Sequence, residues 1–288
     1  MITHCISTYN NLEYLKIAIK SVRENSYYKE ASFIIHAENC DDGTDEWLEK
    51  NSKKYNLEFY IDKNKIPLGI GGGMNFCANK VKTKFINFLH SDFYVSKDFD
   101  LALLNKHKQL GKKSWIFSQR IQPNIFKENS RAGTLIVPIE TFGGYYNDFN
   151  KDLFLKYASE LSELNDLDIH IGEGVSGLIL KEDWDYIGGN DPLFAPASWD
   201  DKDIFLRCLL KDINLTLTTK SVVWHFGARG SHRLEENQGK TDKRQLESER
   251  QNASKWLTKW NKYPTFNSNG MIQKDNMNII NSYKDNYK

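Results

Sequence analysis

Cysteine is scarce: Cys5, Cys40, Cys77 and Cys208 are the only four in 288 residues, and none form a CxxC pair. That spacing excludes a zinc knuckle and a disulfide framework, and points to a reducing compartment. No apolar run reaches the length of a membrane span, so no transmembrane helix is expected. The chain opens on the strand-like MITHCIST, with no basic leader and apolar core, so no signal peptide is expected. Charge of one sign is also missing, because 39 basic side chains nearly cancel 38 acidic ones. A polyanion is therefore not the favoured partner, and no nucleic acid is expected. There is no internal repeat. These absences together describe a cytoplasmic protein, with peripheral membrane contact left open.

Aromatic residues, in contrast, make up 13% of the chain, including 7 Trp and 14 Tyr. They supply core, and also flat amphipathic surfaces on which sugars or bases stack. A chain of this length buries roughly three quarters of its unfolded surface, enough for one large domain or a domain plus an extension.

The first half alternates strand and helix with short links, which implies a parallel α/β sheet. Ile2 to Ser7 reads as a strand. Leu12, Leu15, Ile19 and Val22 recur at helical spacing. Phe33 to Ala37 and Leu57 to Ile61 read as further strands, with Trp47, Leu48 and Tyr55 on the helix between them. A Gly-rich loop is expected over Leu68 to Gly73, and a helix over Met74 to Val81. Then comes an apolar strand that stops at His90-Ser91-Asp92. In the second half the spacing predicts strands at Trp115 to Ile121, Thr134 to Ile139, Leu178 to Leu180 and Leu215 to Trp224. Helices are expected at Leu153 to Leu164, Asp201 to Leu210 and Gln245 to Trp260.

Six places could carry the chemistry. A carboxylate closing a buried strand, as Asp92 does, is costly unless a cation meets it. Ser7-Thr8-Tyr9-Asn10 ends strand one, where hydroxyls can bond a base or ribose or simply cap the next helix. Glu38, Asp41 and Asp42 follow strand two, where a carboxylate suits ribose hydroxyls, or forms a solvated turn. The glycines at 69 and 71 to 73 miss the GxGxxG fingerprint because Met74 takes the last position, which removes the main support for a nicotinamide enzyme. Such a stretch admits a diphosphate at a helix N-terminus or packs closely. Asp200, Asp201 and Asp203 open a helix with more acid than one cap needs, and a carboxylate there can act as a general base. His225 ends the last strand, with His232 a short loop away.

In this order, the pieces resemble a family 2-type glycosyltransferase of the GT-A fold. The residues that carry the resemblance are Ser7-Thr8-Tyr9-Asn10, Glu38-Asn39 through Thr44, Leu68-Gly69 through Asn75, and Phe88 to Asp92. Further along are Gly188-Gly189-Asn190-Asp191, Trp199 to Arg207, and Trp224-His225. The resemblance implies a Rossmann-like, mainly parallel sheet over residues 1–230, flanked by helices. Residues 1–97 would hold the nucleotide-sugar and 98–230 the acceptor. Residues 231–288 would be a helical extension with a polar tail, its Trp256, Leu257 and Trp260 stripe docking back on the domain.

The same resemblance implies transfer of a sugar from a nucleotide-diphosphate sugar, most commonly a UDP-sugar, to an acceptor hydroxyl. The acceptor class spans carbohydrate, lipid-linked and protein hydroxyls, as in glycan or polysaccharide synthesis. Thr8, Tyr9 and Glu38 would hold the nucleoside, with Asp42 near the base and Gly71, Asn75 and Ser91 among the donor contacts. Asp92 matches the last acid of the family's DxD motif, and His225 a histidine that completes the metal site in some relatives. Oxygen and imidazole ligands suit Mn²⁺ or Mg²⁺. Asp201 matches the catalytic base of an inverting displacement, and Asp200 its acidic neighbour. His90 stands where the first DxD acid is usual. Gly174 to Gly177 and Trp199 would border the acceptor, and Tyr145 and Tyr146 would stack a sugar or form a lid. The competing readings are a sugar nucleotidyltransferase and a catalytically idle binding module.

Overall fold

The computed structural model describes residues 1–125, 129–130, 133–164, 166, 176–227, 243–268, 271–275 and 277. Strand β1 (Ile2–Thr8) leads through α1 (Leu12–Asn25) to β2 (Ser32–Glu38), then α2 (Thr44–Asn51) and β3 (Glu58–Asp62). Helix α3 (Gly69–Lys80) then leads to β4 (Phe85–His90). These strands lie in the order β3-β2-β1-β4, all parallel. The chain thus leaves β1 on one side and α3 returns it to the other. Ligands in open α/β sheets bind at such a reversal, outside the carboxyl ends of the strands.

Alternation along the strands builds two apolar layers, because successive side chains point to opposite faces. Ile6, Phe33 and Ile35 meet Leu15, Ile19 and Val22 of α1 on one face. Cys5, Ile34, Ile86 and Phe88 meet Met74, Cys77 and Ala78 of α3 on the other.

Past β4 come β5 (Phe93–Val95), α4 (Phe99–Leu110), β6 (Ser114–Pro123), β7 (Thr134–Val137), α5 (Ile139–Phe142) and α6 (Lys151–Ser162). They are followed by β8 (Gly177–Leu180), α7 (Lys181–Ile187), α8 (Asp200–Leu210), β9 (Asn214–His225) and α9 (Lys243–Trp260). The sheet continues from β4 through β8, β6 and β9 to β5, with β7 beside β6. Strand β8 runs antiparallel to β4 and β6, and β5 antiparallel to β9, while β6 and β9 are parallel. The sheet is mixed and mainly parallel.

Two local expectations are corrected. The stretch from Gly69 to Gly73 is the first part of α3, not a loop. Three of its early N–H groups are taken: Leu68 and Gly69 donate to the Glu38 carboxylate, and Ile70 to the Pro196 carbonyl at 3.1 Å. A side chain at Gly73 would sit 2.0 Å from Ser7 Oγ, so the glycine lets α3 lie close against β1. Close packing on β1 accounts for Gly73. Secondly, β4 ends at His90, so Ser91 and Asp92 form the turn into β5.

The C-terminal helix docks as its tryptophan stripe suggested. Trp256 and Trp260 are buried in the same cluster as Phe194, Ile204 and Phe205. Lys259 is fully buried, with Nζ 2.8 Å from Asp191 Oδ2 and 2.6 Å from Asp203 Oδ1.

Candidate active site

The antiparallel pairing of β5 with β9 sets Phe93 opposite His225, and so brings Asp92 to the end of β9. The Phe226 N–H donates to the Asp92 carbonyl at 3.1 Å and fixes that approach. His225 Nε2 then lies 3.4 Å from Asp92 Oδ2. His90 joins them from the end of β4, stacked on Phe93 at 4.7 Å and edge-on to His225 at 5.6 Å. One ligating atom from each of His90, Asp92 and His225 falls within 4.8 Å of the others.

The electrostatics of this cluster are those of a cation site. Burial alone would raise the Asp92 carboxyl, but the His225 imidazole outweighs it and holds the group at about 2. Burial, aided by His225, lowers the His90 imidazole to about 3, so the ring is neutral. Its Nε2 is buried without a hydrogen-bond partner. His225 Nδ1 lies 3.1 Å from Gln122 Oε1, an acceptor, so Nδ1 carries a proton and Nε2 is the nitrogen turned to Asp92. A carboxylate and two imidazole nitrogens are the ligand set a divalent transition metal takes. The residues fit the ion.

The acidic helix start divides its labour. Asp200 is buried, and burial together with Asp201 raises its carboxyl to about 7. Asp201 is half-buried, and one of its oxygens accepts the Lys202 N–H at 2.8 Å. Asp203 is fully buried and structural, bonded to Arg207 Nε at 2.8 Å and to Trp260 Nε1 at 2.9 Å as well as to Lys259. The turn before them is strained, with Ser198 at φ +74° and Trp199 at φ +71°. Each such residue costs about 1–3 kcal/mol and persists only where its surroundings enforce it.

The reversal point joins the remaining positions. Ser7 pairs with His90 across β1 and β4, and Asn11 Nδ2 donates to Ser91 Oγ at 2.9 Å, tying the two turns together. Thr8 is buried with Oγ1 unpartnered, while Tyr9 stays 39% exposed beside it. Glu38 is buried, and both its oxygens accept the N–H groups at the start of α3. Asp42 accepts Leu12 N–H at 2.8 Å, Thr44 N–H at 3.1 Å and the Thr44 hydroxyl at 2.6 Å. Asn75 clips α3 to the turn after α7, exchanging bonds of 2.8 Å with both backbone groups of Asn190. Gly71 faces the same turn, and a side chain there would meet Asn190 Cβ at 3.0 Å and Asp200 Oδ2 at 3.5 Å.

A family model described as glycosyl transferase family 2 matches residues 3–160, more than half of the chain. The chain belongs to that family. Solved structures agree on the fold. S. aureus TarS is 14% identical with a TM-score of 0.52, covering 79% of this chain and 37% of its own. GalNAc-T7, solved with UDP, GalNAc and Mn²⁺, is 13% identical with a TM-score of 0.59, covering 78% and 43%. Residues 1–349 of TarS, solved with UDP-GlcNAc, are 13% identical with a TM-score of 0.53, covering 79% and 60%. At this identity the likeness shows the GT-A fold alone, and the chain spans less than two thirds of each of these structures. No curated protein matches the chain.

Gly174, Val175 and His232 lie outside the described residues. The Trp199 ring packs on Trp256 at 5.5 Å, with Lys202 Nζ 5.0 Å from its centroid. Tyr145 and Tyr146 are part-exposed, and Tyr146 sets its edge on Tyr14 at 5.6 Å. Among the described residues no helix is long and apolar enough to cross a membrane. Gln122 and Asn252 went unseen in the sequence. Neither sits in a motif, and each acts through a partner more than fifty residues away.

Proposed function

We propose that this chain transfers a sugar from a UDP-sugar to an acceptor hydroxyl with inversion, assisted by a divalent cation. The observation that carries the reading is the convergence of His90, Asp92 and His225 at the strand ends, in a chain whose helix α8 opens on the Asp200–Asp201 pair. His90, Asp92 and His225 would hold Mn²⁺ or Mg²⁺, and the bound ion would neutralise charge on the departing diphosphate. Two imidazole ligands favour Mn²⁺ over the oxygen-seeking Mg²⁺. The UDP and Mn²⁺ in the GalNAc-T7 structure and the UDP-GlcNAc in a TarS structure support the same donor class.

The nucleoside would lie over the ends of β1 and β2, where Thr8 Oγ1 is unpartnered and Tyr9 offers an exposed ring. Asp201 would take the proton of the acceptor hydroxyl as its oxygen bonds to the anomeric carbon. The bond from that carbon to the diphosphate breaks, and the nucleotide leaves with the electron pair. Asp200, next to Asp201 and buried, would face the donor sugar beside Gly71. The acceptor would be a carbohydrate, lipid-linked or protein hydroxyl, in a glycan or polysaccharide pathway.

The test is a panel of nucleotide sugars with Mn²⁺, Mg²⁺ or EDTA, followed by NMR of the product's anomeric proton. Inverted product that requires the cation is expected. A retained configuration, or transfer undiminished in EDTA, would remove the mechanism. Pyrophosphate release from a nucleoside triphosphate would favour a nucleotidyltransferase instead.

A further inference from the structure

We propose that Asn252, on the C-terminal helix α9, is a positioning residue for the Asp200–Asp201 pair. The proposal rests on the glycosyl-transfer reading for what those carboxylates do, but not for how they are held. Two consecutive non-glycine residues, Ser198 and Trp199, occupy the left-handed region immediately before the pair. Such a turn needs an external constraint. The constraint comes from α9: Asn252 Nδ2 lies 2.8 Å from both the Phe194 and Ala197 carbonyls and 2.9 Å from that of Ser198. The amide is 1% exposed and has two N–H groups for these three acceptors, so its loss strips donors from the whole turn at once. Ser248, one helical turn earlier, donates to the Ala197 carbonyl at 2.7 Å.

The turn is coupled directly to the carboxylates. The Trp199 carbonyl accepts the Asp203 N–H at 3.0 Å, the first bond of α8, so the turn sets the helix that carries Asp200 and Asp201. Pro196 in the same segment accepts from Ile70 at the start of α3, so the turn also sets the spacing of α8 from the donor side. Helix α9 has its own anchors: Lys259 bridges Asp191 and Asp203, and Trp256 and Trp260 are buried in the core. Removing the Asn252 amide therefore leaves α9 docked and acts on the turn. A displacement of about 1 Å in a reacting group can cost on the order of 10²-fold in rate.

The experiment compares the full chain with Asn252→Asp, Asn252→Ala and Ser248→Ala, using Asp201→Asn as the reference for a lost base. The Asp variant keeps the volume and removes the donors. Three readouts are taken: kcat and KM with the donor and acceptor found for the wild type, UDP affinity with Mn²⁺ by calorimetry, and hydrogen exchange across residues 194–204. Both Asn252 variants are expected to lose about 10- to 100-fold in kcat, with UDP affinity within threefold of wild type and faster exchange confined to that segment. Ser248→Ala should show the same pattern at smaller amplitude, and it decides the matter if the Asn252 variants do not fold. Unchanged kcat in the folded variants would overturn the proposal, as would a parallel fall in kcat and UDP affinity. A wild type that transfers no sugar would instead overturn the glycosyl-transfer reading. The exchange data would still decide whether Asn252 holds the turn.

Discussion

Gln122 Oε1 lies 3.1 Å from His225 Nδ1, and this contact decides which imidazole nitrogen faces Asp92. A ligating histidine whose second nitrogen is fixed in this way has its tautomer and ring plane set before any ion arrives. Gln122→Leu keeps the side-chain bulk and removes the acceptor. Mn²⁺ affinity, read by electron paramagnetic resonance of free ion, is expected to fall about 10- to 100-fold. Asp92→Ala should abolish binding. Wild-type affinity in Gln122→Leu would show that the ring orientation is set elsewhere.

Asp201 carries the general-base prediction. Asp201→Asn is nearly isosteric and keeps the oxygen that accepts the Lys202 N–H. Loss of a positioned base typically costs about 10²- to 10⁴-fold in rate. The expected outcome is a fall of that size in kcat, with nucleotide affinity unchanged. Full rate in Asp201→Asn would move the base assignment to another group.

Lys259 makes a prediction about stability. Its ammonium is wholly buried between Asp191 and Asp203. Burial lowers its proton affinity, and the neighbouring Asp203 carboxylate opposes that. Lys259→Met fills the volume but takes the ammonium away from two carboxylates, Asp191 and Asp203, the second of which also faces Arg207. Breaking a buried pair from one side costs about 3–5 kcal/mol. For a chain of this size, each kcal/mol lowers Tm by about 2–4 °C. A drop of roughly 6–20 °C is expected in thermal unfolding, and a change under 2 °C would mean that α9 is held by its tryptophans alone.

The strands of the first half could be read from residue order, because each rests on a local pattern, whereas His225 came to Asp92 only through the family resemblance. Leu15, Ile19 and Val22 announce α1, while the place of His90 beside Asp92 and His225 emerges only in the structure. The start of α3 could not be read that way. Four glycines argue against a helix on propensity, and only the tertiary fit of Gly73 against Ser7 and the capping of α3 by Glu38 reverse that. Asp203 was hidden for a similar reason. It shares a run with Asp200 and Asp201, and nothing in the run shows that its partners are Arg207, Lys259 and Trp260. Gln122 reaches His225 across 103 residues, a contact that only the parallel pairing of β6 and β9 creates.

Asp200 predicts how stability changes with pH. Its carboxyl is raised from 3.8 to about 7 by burial and by Asp201 next to it, so the folded state holds a proton that the unfolded state has released. Between those values the folded chain binds more protons than the unfolded one, and its stability therefore falls as pH rises. The contribution is favourable at pH 4 and is lost by the time pH passes about 7, where Asp200 ionises inside the protein. Asp200→Asn removes the titration and keeps the shape. Each unit of difference is worth about 1.4 kcal/mol, and each kcal/mol about 2–4 °C in Tm. The variant should therefore match wild type near pH 4 and melt several degrees higher at pH 8. Parallel Tm profiles for the two proteins from pH 4 to 8 would show that Asp200 is ionised at little cost, with a partner for its charge inside the fold.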